Sequence, residues 1–171
     1  RDHVDTEWWK NLAHTYVDAA MADGPDGYFT SVTSTGITKG YDWYPVSGSR
    51  QDFMTYMQNG REVTMEISDT KLPDAESLPD FWSYNKRAMI NYLEQALYGI
   101  HGVVKNTAGN PLHAEVRVLN HDKDRDSSMV FTDPDVGDYH RFIAPGSYTL
   151  VAMAEGYLPD TLSGVTVEEG A

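Results

Sequence analysis

The chain has 171 residues, 40% of them hydrophobic and 12% aromatic, enough to bury a core as one domain or two small ones and too apolar for a disordered segment. Thirteen Lys and Arg against 26 Asp and Glu give a net charge of -13, which sets aside nucleic acid as a partner and favours attraction of cationic ligands in a salt-dependent way. There is no cysteine, hence no disulfide and no thiolate metal site. There is also no apolar run of roughly eighteen residues, hence no helical membrane span.

Asp5 to Ala20 reads as a helix. Asp5 or Thr6 can cap it, and Trp9, Leu12, Ala13, Tyr16, Ala19 and Ala20 recur at three-to-four spacing as one apolar stripe. Asp23-Gly24-Pro25-Asp26-Gly27 breaks it. Residues 28–50 are rich in Gly, Ser, Thr and aromatics without a period, and read as a long ordered loop of the kind that carries function. Arg61 to Ser68 alternates strictly and reads as a strand, with Val63, Met65 and Ile67 on one face and Glu62, Thr64, Glu66 and Ser68 on the other. Ser77 and Pro79 open a second helix to Leu97, with Trp82, Met89, Leu93, Ala96 and Leu97 expected on its buried side and Gly99 ending it.

From Ile100 the texture changes. Six short alternating runs are expected as strands: Ile100–Lys105, Ala114–Asn120, Met129–Thr132, Tyr139–Ile143, Tyr148–Ala154 and Leu162–Glu168. Turn residues such as Ala108-Gly109-Asn110-Pro111 and Pro145-Gly146 separate them, which predicts a small antiparallel β-sandwich. The expected fold class is therefore an α/β part, helices with a strand, over residues 1–98, followed by an all-β sandwich over 99–171.

Gly36-Ile37-Thr38-Lys39-Gly40-Tyr41-Asp42-Trp43-Tyr44, Gly48-Ser49-Arg50-Gln51-Asp52 and Val63-Thr64-Met65-Glu66-Ile67-Ser68, in that order, resemble the end of the catalytic domain in the regulatory zinc carboxypeptidases, the carboxypeptidase D, E and N group. Leu78-Pro79-Asp80-Phe81-Trp82 and Asn85-Lys86-Arg87 resemble the start of that domain's last helix. Gly99-Ile100-His101-Gly102-Val103-Val104 and the turns at Thr132-Asp133 and Pro145-Gly146-Ser147-Tyr148 resemble the family's transthyretin-like domain. The resemblance implies that residues 1–98 are the C-terminal third of the catalytic domain, an α/β fold of a mixed sheet with helices. It also implies that 99–171 form the transthyretin-like sandwich, closing one strand short of the family's seven. The family's Gly-Gly before the glutamine is Gly48-Ser49 here, and its paired cysteines after the strand are Asp69-Thr70.

For individual residues, the resemblance implies that Glu66 is the catalytic glutamate and Tyr44 the mobile tyrosine that closes over substrate, 22 residues earlier. It implies that Gln51 sits at the base of the specificity pocket. The implied activity is removal of C-terminal residues, Lys or Arg, from peptides or proteins. Zinc would lower the pKa of bound water and polarise the scissile carbonyl, and Glu66 would take and return the proton. Read without the resemblance, the three residues are a solvated strand glutamate, a packed loop tyrosine and a surface glutamine near a helix start.

Zinc needs three protein ligands in an open site. None of His3, His14, His101, His113, His121 or His140 is followed three residues later by Glu, so no metal ligand is expected within these residues. The family's ligands, and the rest of the catalytic domain as partner, are expected upstream. The chain starts at Arg1 without a signal peptide, which reads as a piece of a longer or processed protein, and the expected location is secreted or periplasmic. Asp122-Lys123-Asp124-Arg125-Asp126 imitates a calcium loop, but Ser127 stands where that loop needs glycine, so an acidic hairpin tip is expected. Two other classes stay open: a non-catalytic relative whose sandwich serves binding or adhesion, and a fold-support module.

Overall fold

Four helices lead into six strands in the computed structural model, which describes residues 2–168. The helices are α1 (Thr6–Asp23), α2 (Gly40–Trp43), α3 (Arg50–Met57) and α4 (Leu78–Glu94), with single 3-10 turns at Ala75–Ser77, Gln95–Leu97 and Asp124–Asp126. The strands are β1 (Ile100–Val103), β2 (Ala114–Val118), β3 (Val130–Phe131), β4 (Asp138–Arg141), β5 (Gly146–Ala154) and β6 (Asp160–Val167). Helices followed by antiparallel sheets is the order expected from the sequence. Among the described residues no helix is long and apolar enough to cross a membrane.

The chain divides into two compact units. One comprises residues 9–51 and 62–96. Its core is Tyr16, Val17, Ala19, Ala20 and Ala88, with Tyr28, Phe29, Ile37, Met65, Met89 and Tyr92 packed against it. The α1 stripe falls where its period puts it, and Leu12, Tyr16, Val17, Ala19 and Ala20 are buried.

The face of α4 is a correction. Its buried residues are Asn85 and Ala88, whereas Trp82 and Leu93, expected inside, are 60% and 64% exposed. Ala88 belongs to the same buried cluster as Ala19 and Ala20 of α1, and Asn85 is held there by its hydrogen bonds to Tyr16, Tyr28 and the Phe81 carbonyl. Leu97, also expected inside, is 70% exposed.

Arg61–Ser68 is a second correction. The burial alternation survives around its centre, with Met65 packed on the core and Thr64 and Glu66 exposed. Yet it belongs to no strand among the described residues, because a strand exists only through ladder bonds to a neighbour and none pairs with it there. The third difference is α2, a helix of four residues inside the stretch 28–50 that reads as an aperiodic loop; α3 opens at Arg50, beside the helix start expected near Gln51.

The other unit comprises residues 2–8, 52–61 and 97–168 within the described range. Each expected run overlaps one of its six strands, with β4, β5 and β6 starting one or two residues earlier than expected. All pairings are antiparallel, in a two-stranded sheet β1-β4 and a four-stranded sheet β3-β2-β5-β6. Ile100 from β1 and Val118, Leu150 and Val167 from the other sheet share one core with Ile143. The strict in-out alternation of β2 follows from having one face on that core. Gly99 precedes β1 at φ +122, and a Cβ there would stand 2.7 Å from the Arg141 carbonyl oxygen, so only glycine fits. Within the described residues β6 forms an outer edge of the four-stranded sheet.

Candidate functional site

Glu66 is exposed and lies between two anchored neighbours. Met65 packs into the core on one side, and the Ile67 carbonyl accepts a hydrogen bond of 2.8 Å from the Tyr28 hydroxyl on the other. Alternation therefore turns the Glu66 side chain away from the core.

The first turn of α3 meets the same polar face. The Thr64 hydroxyl donates to Gln51 Oε1 at 3.1 Å, and the Arg50 guanidinium stands 3.3 Å from the Glu62 carboxylate. Gln51 thus touches the residue two positions before Glu66, which shares its face. Tyr44 follows α2; its N–H donates to the Gly40 carbonyl at 2.9 Å, and its backbone is extended. Its ring leans on Trp43 at 4.9 Å between centroids and is half exposed. Gly48, at φ +73 with open space around it, lies between Tyr44 and α3. Among the described residues no hydrogen bond joins Tyr44 to Gln51 or Glu66.

Sequence reasoning missed a buried polar chain behind Glu66. The Tyr16 hydroxyl donates to Asn85 Oδ1 at 2.7 Å, and Asn85 Nδ2 donates to the Tyr28 hydroxyl at 2.7 Å and to the Phe81 carbonyl at 2.8 Å. Burial pushes the Tyr16 phenol up to about 12 and the Tyr28 phenol upward as well, so both remain protonated donors near neutrality. The available signal was a single asparagine on the side of a helix that also carries Ala88.

It also missed a knot of buried charge in the unit that holds the sandwich. Asp5 Oδ1 accepts from Arg141 at 2.7 Å and from His121 Nε2 at 2.8 Å, and Asp5 Oδ2 accepts from Arg61 at 2.9 Å. Arg141 also donates to Asp122 Oδ1 at 2.6 Å, and the Val118 N–H fills Asp122 Oδ2 at 2.8 Å. Burial alone raises the Asp5 carboxyl, but the His121 hydrogen bond and the charges of Arg141 and Arg61 outweigh it and hold the group far below the usual carboxylate range. His3 closes the edge: its Nδ1 accepts from the Asp5 N–H at 3.0 Å while Nε2 faces the Asp126 carbonyl at 2.8 Å, which fixes the Nε2–H tautomer.

Asp5, His121 and Asp122 offer ligand atoms within 4.8 Å of one another, so the knot was tested as a metal centre. It does not fit zinc. Every carboxylate oxygen already takes a hydrogen bond, and two guanidinium groups stand where a dication would have to sit. The Asp122–Asp126 segment is not a plain acidic tip either. Asp126 is fully buried and its Oδ2 accepts from the Val4 N–H at 3.2 Å, while Ser127 takes the left-handed conformation at φ +46.

Residues 2–88 match the family model described as zinc carboxypeptidase, and residues 99–171 match the carboxypeptidase regulatory-like domain. Among curated proteins, the chain is 42% identical to the human carboxypeptidase N catalytic chain over 135 residues, covering 77% of this chain and 28% of that one. It is 37% identical to rat carboxypeptidase D over 139 residues, 79% of this chain and 10% of that one. Against mouse carboxypeptidase M the identity is 32% over 155 residues, 90% and 34%. The chain thus spans between a tenth and about a third of the length of these relatives.

Proposed function

This chain belongs to the zinc carboxypeptidase family, and on that premise we propose that it serves a carboxypeptidase that removes C-terminal Lys or Arg from peptides or proteins. Residues 1–98 are read as the C-terminal third of the catalytic domain and 99–171 as its transthyretin-like sandwich. The observation that carries the reading is the Thr64–Gln51 hydrogen bond of 3.1 Å, which supports a pocket residue lying beside the face that holds Glu66.

In this reading Glu66 is the general base. Its exposed carboxylate takes a proton from the attacking water and returns it to the leaving amine. Gln51 offers its amide to the side chain of a basic C-terminal residue. Tyr44, on a loop flanked by Gly40 and Gly48, supplies a phenol that can swing to the substrate. Zinc is the family's metal, and its ligands are read as lying outside these 171 residues. The remainder of the catalytic domain is read as the partner that covers Leu78, Trp82, Ile90 and Leu93, an exposed apolar face that supports this view. A secreted or periplasmic location completes the reading.

The test compares release of C-terminal Arg from a short peptide by the full-length protein, its Glu66→Gln variant and the isolated 171 residues, with bound zinc measured in each. The expected result is a loss of ~10²–10⁴-fold or more in Glu66→Gln with zinc retained, and no turnover by the isolated chain. Wild-type turnover by Glu66→Gln, or a full-length protein without zinc or activity, refutes the assignment; the second outcome is the one expected of a binding or adhesion module.

A further inference from the structure

We propose that His101 and His140 form a binding site for a divalent transition metal ion, Cu²⁺ or Zn²⁺, on the outer face of the β1-β4 pair. The two histidines lie directly opposite one another in the antiparallel register, next to the pair Ile100 and Arg141. Ile100 and Arg141 are buried, so alternation turns the two imidazoles to the other face, where His101 is exposed and His140 half-buried. Directly opposed residues of an antiparallel pair have Cβ atoms about 4.5–5.5 Å apart, close enough for both rings to reach one ion. The ring centroids stand 5.8 Å apart. Two imidazoles sharing a tetrahedral ion, with metal–nitrogen bonds of about 2.0–2.1 Å and each nitrogen ~1.1 Å from its ring centre, have centroids roughly 5–6 Å apart. The pair already has that spacing.

The tautomer fits as well. His140 Nε2 lies 2.9 Å from the Tyr98 carbonyl, which can only accept, so the proton sits on Nε2 and the Nδ1 lone pair is left for a metal. A backbone carbonyl on the far nitrogen is the partner that orients a metal-binding imidazole and fixes its tautomer. The ring is steadied further by Phe142, at 4.6 Å between centroids. Asp138, two residues before His140 on the same outward face, and Asp133 line the same concavity, while no Lys or Arg does. The local field therefore favours a cation, in contrast to the Asp5 knot, where guanidinium groups take the place of one. Imidazole nitrogens select Cu²⁺ and Zn²⁺ over Mg²⁺ and Ca²⁺, whose sites are built from oxygen. Two protein ligands leave positions open to water or an external ligand, and an ion held by both rings clips β1 to β4.

The test uses the full-length protein, first saturated with zinc and dialysed, then titrated with Cu²⁺ near neutral pH, where both rings are free to bind. Electron paramagnetic resonance counts the nitrogens on the copper. His101→Ala deletes an exposed ring without touching the core, and His14→Ala, which deletes an exposed ring on α1, controls for stray copper. Wild type and His14→Ala are expected to take up one copper with a two-nitrogen signal, and His101→Ala to bind it at least ~10- to 100-fold more weakly. Added Zn²⁺ is expected to raise the melting temperature of wild type and not that of His101→Ala. Release of C-terminal Arg from a short peptide is expected to be the same in both, which keeps this site apart from the reading of Glu66. Absence of the two-nitrogen signal from wild type overturns the proposal. So does a signal that survives in His101→Ala, one lost equally in His14→Ala, or a melting temperature that Zn²⁺ raises alike in wild type and His101→Ala.

Discussion

Replacing Asp5 with asparagine keeps the size of the side chain and deletes its charge at the centre of the knot. Two carboxylates, Asp5 and Asp122, balance two guanidinium groups, Arg61 and Arg141, all with side chains 4% exposed or less. After the change one positive charge is uncompensated, and the new amide turns a donor toward Arg141 or Arg61. Arg141 keeps Asp122 at 2.6 Å, so the loss falls on Arg61, which retains backbone carbonyls alone. Breaking a buried pair from one side costs about 3–5 kcal/mol. In a unit of about 90 residues each kcal/mol shifts the midpoint by ~4–8 °C, so the melting temperature of Asp5→Asn is expected to fall by at least ~12 °C at pH 7.

The pH dependence carries a sign. Because the folded carboxyl is held below its unfolded value of about 3.9, its contribution is present above that value and lost as pH falls toward the folded one. The gap between wild type and Asp5→Asn therefore closes below about pH 4. The double variant Asp5→Leu/Arg61→Met restores neutrality and is expected to recover at least half of the loss. Calorimetry or circular dichroism from pH 7 to about pH 2.5 reads all three proteins. A drop under ~4 °C at neutral pH, or a gap that stays constant through acid, refutes the account.

Two further outcomes concern the sandwich. The buried Thr132 hydroxyl accepts from the Ala114 N–H at 2.7 Å and donates to the Leu112 carbonyl at 2.6 Å, so the isosteric Thr132→Val leaves two backbone groups unpaired. It should cost ~1–3 kcal/mol, seen as a lower urea midpoint with an unchanged slope. Gly99→Ala and Gly109→Ala separate backbone strain from collision. Both glycines have positive φ, but only the first has a carbonyl 2.7 Å from the added carbon, so thermal melts should place Gly99→Ala well below Gly109→Ala.

The sandwich was legible because turn residues cut the sequence at regular intervals and each strand faces one core, so alternation and punctuation agree at all six runs. Helix α1 was legible for the same reason. The inward face of α4 was not. Apolar residues lie on more than one side of it, and the choice was made by Ala88 and Asn85, one for its small size and the other for its partners, which periodicity cannot weigh. Arg61–Ser68 shows the converse: alternation states that a segment is ready to pair, while pairing depends on a neighbour. At the candidate site, the side of the chain carrying Glu66 was readable, and the link from Gln51 to Thr64 was not, because it joins residues 13 apart through a bend. The charge knot was invisible since its members are spread from Asp5 to Arg141.

That spread sets a timetable for biosynthesis. Asp5 and Arg141 are separated by 136 positions, and Tyr16 and Asn85 by 69. At ~5–20 residues per second, a ribosome needs roughly 7–27 s to make the partner that Asp5 requires. Through that interval the Asp5 carboxylate stays hydrated, while the Tyr16–Asn85 contact can already close. The segment around His3 and Asp5, made well before Arg141, is therefore among the last of these residues to settle, and its burial reports that the strand bearing Arg141 has arrived.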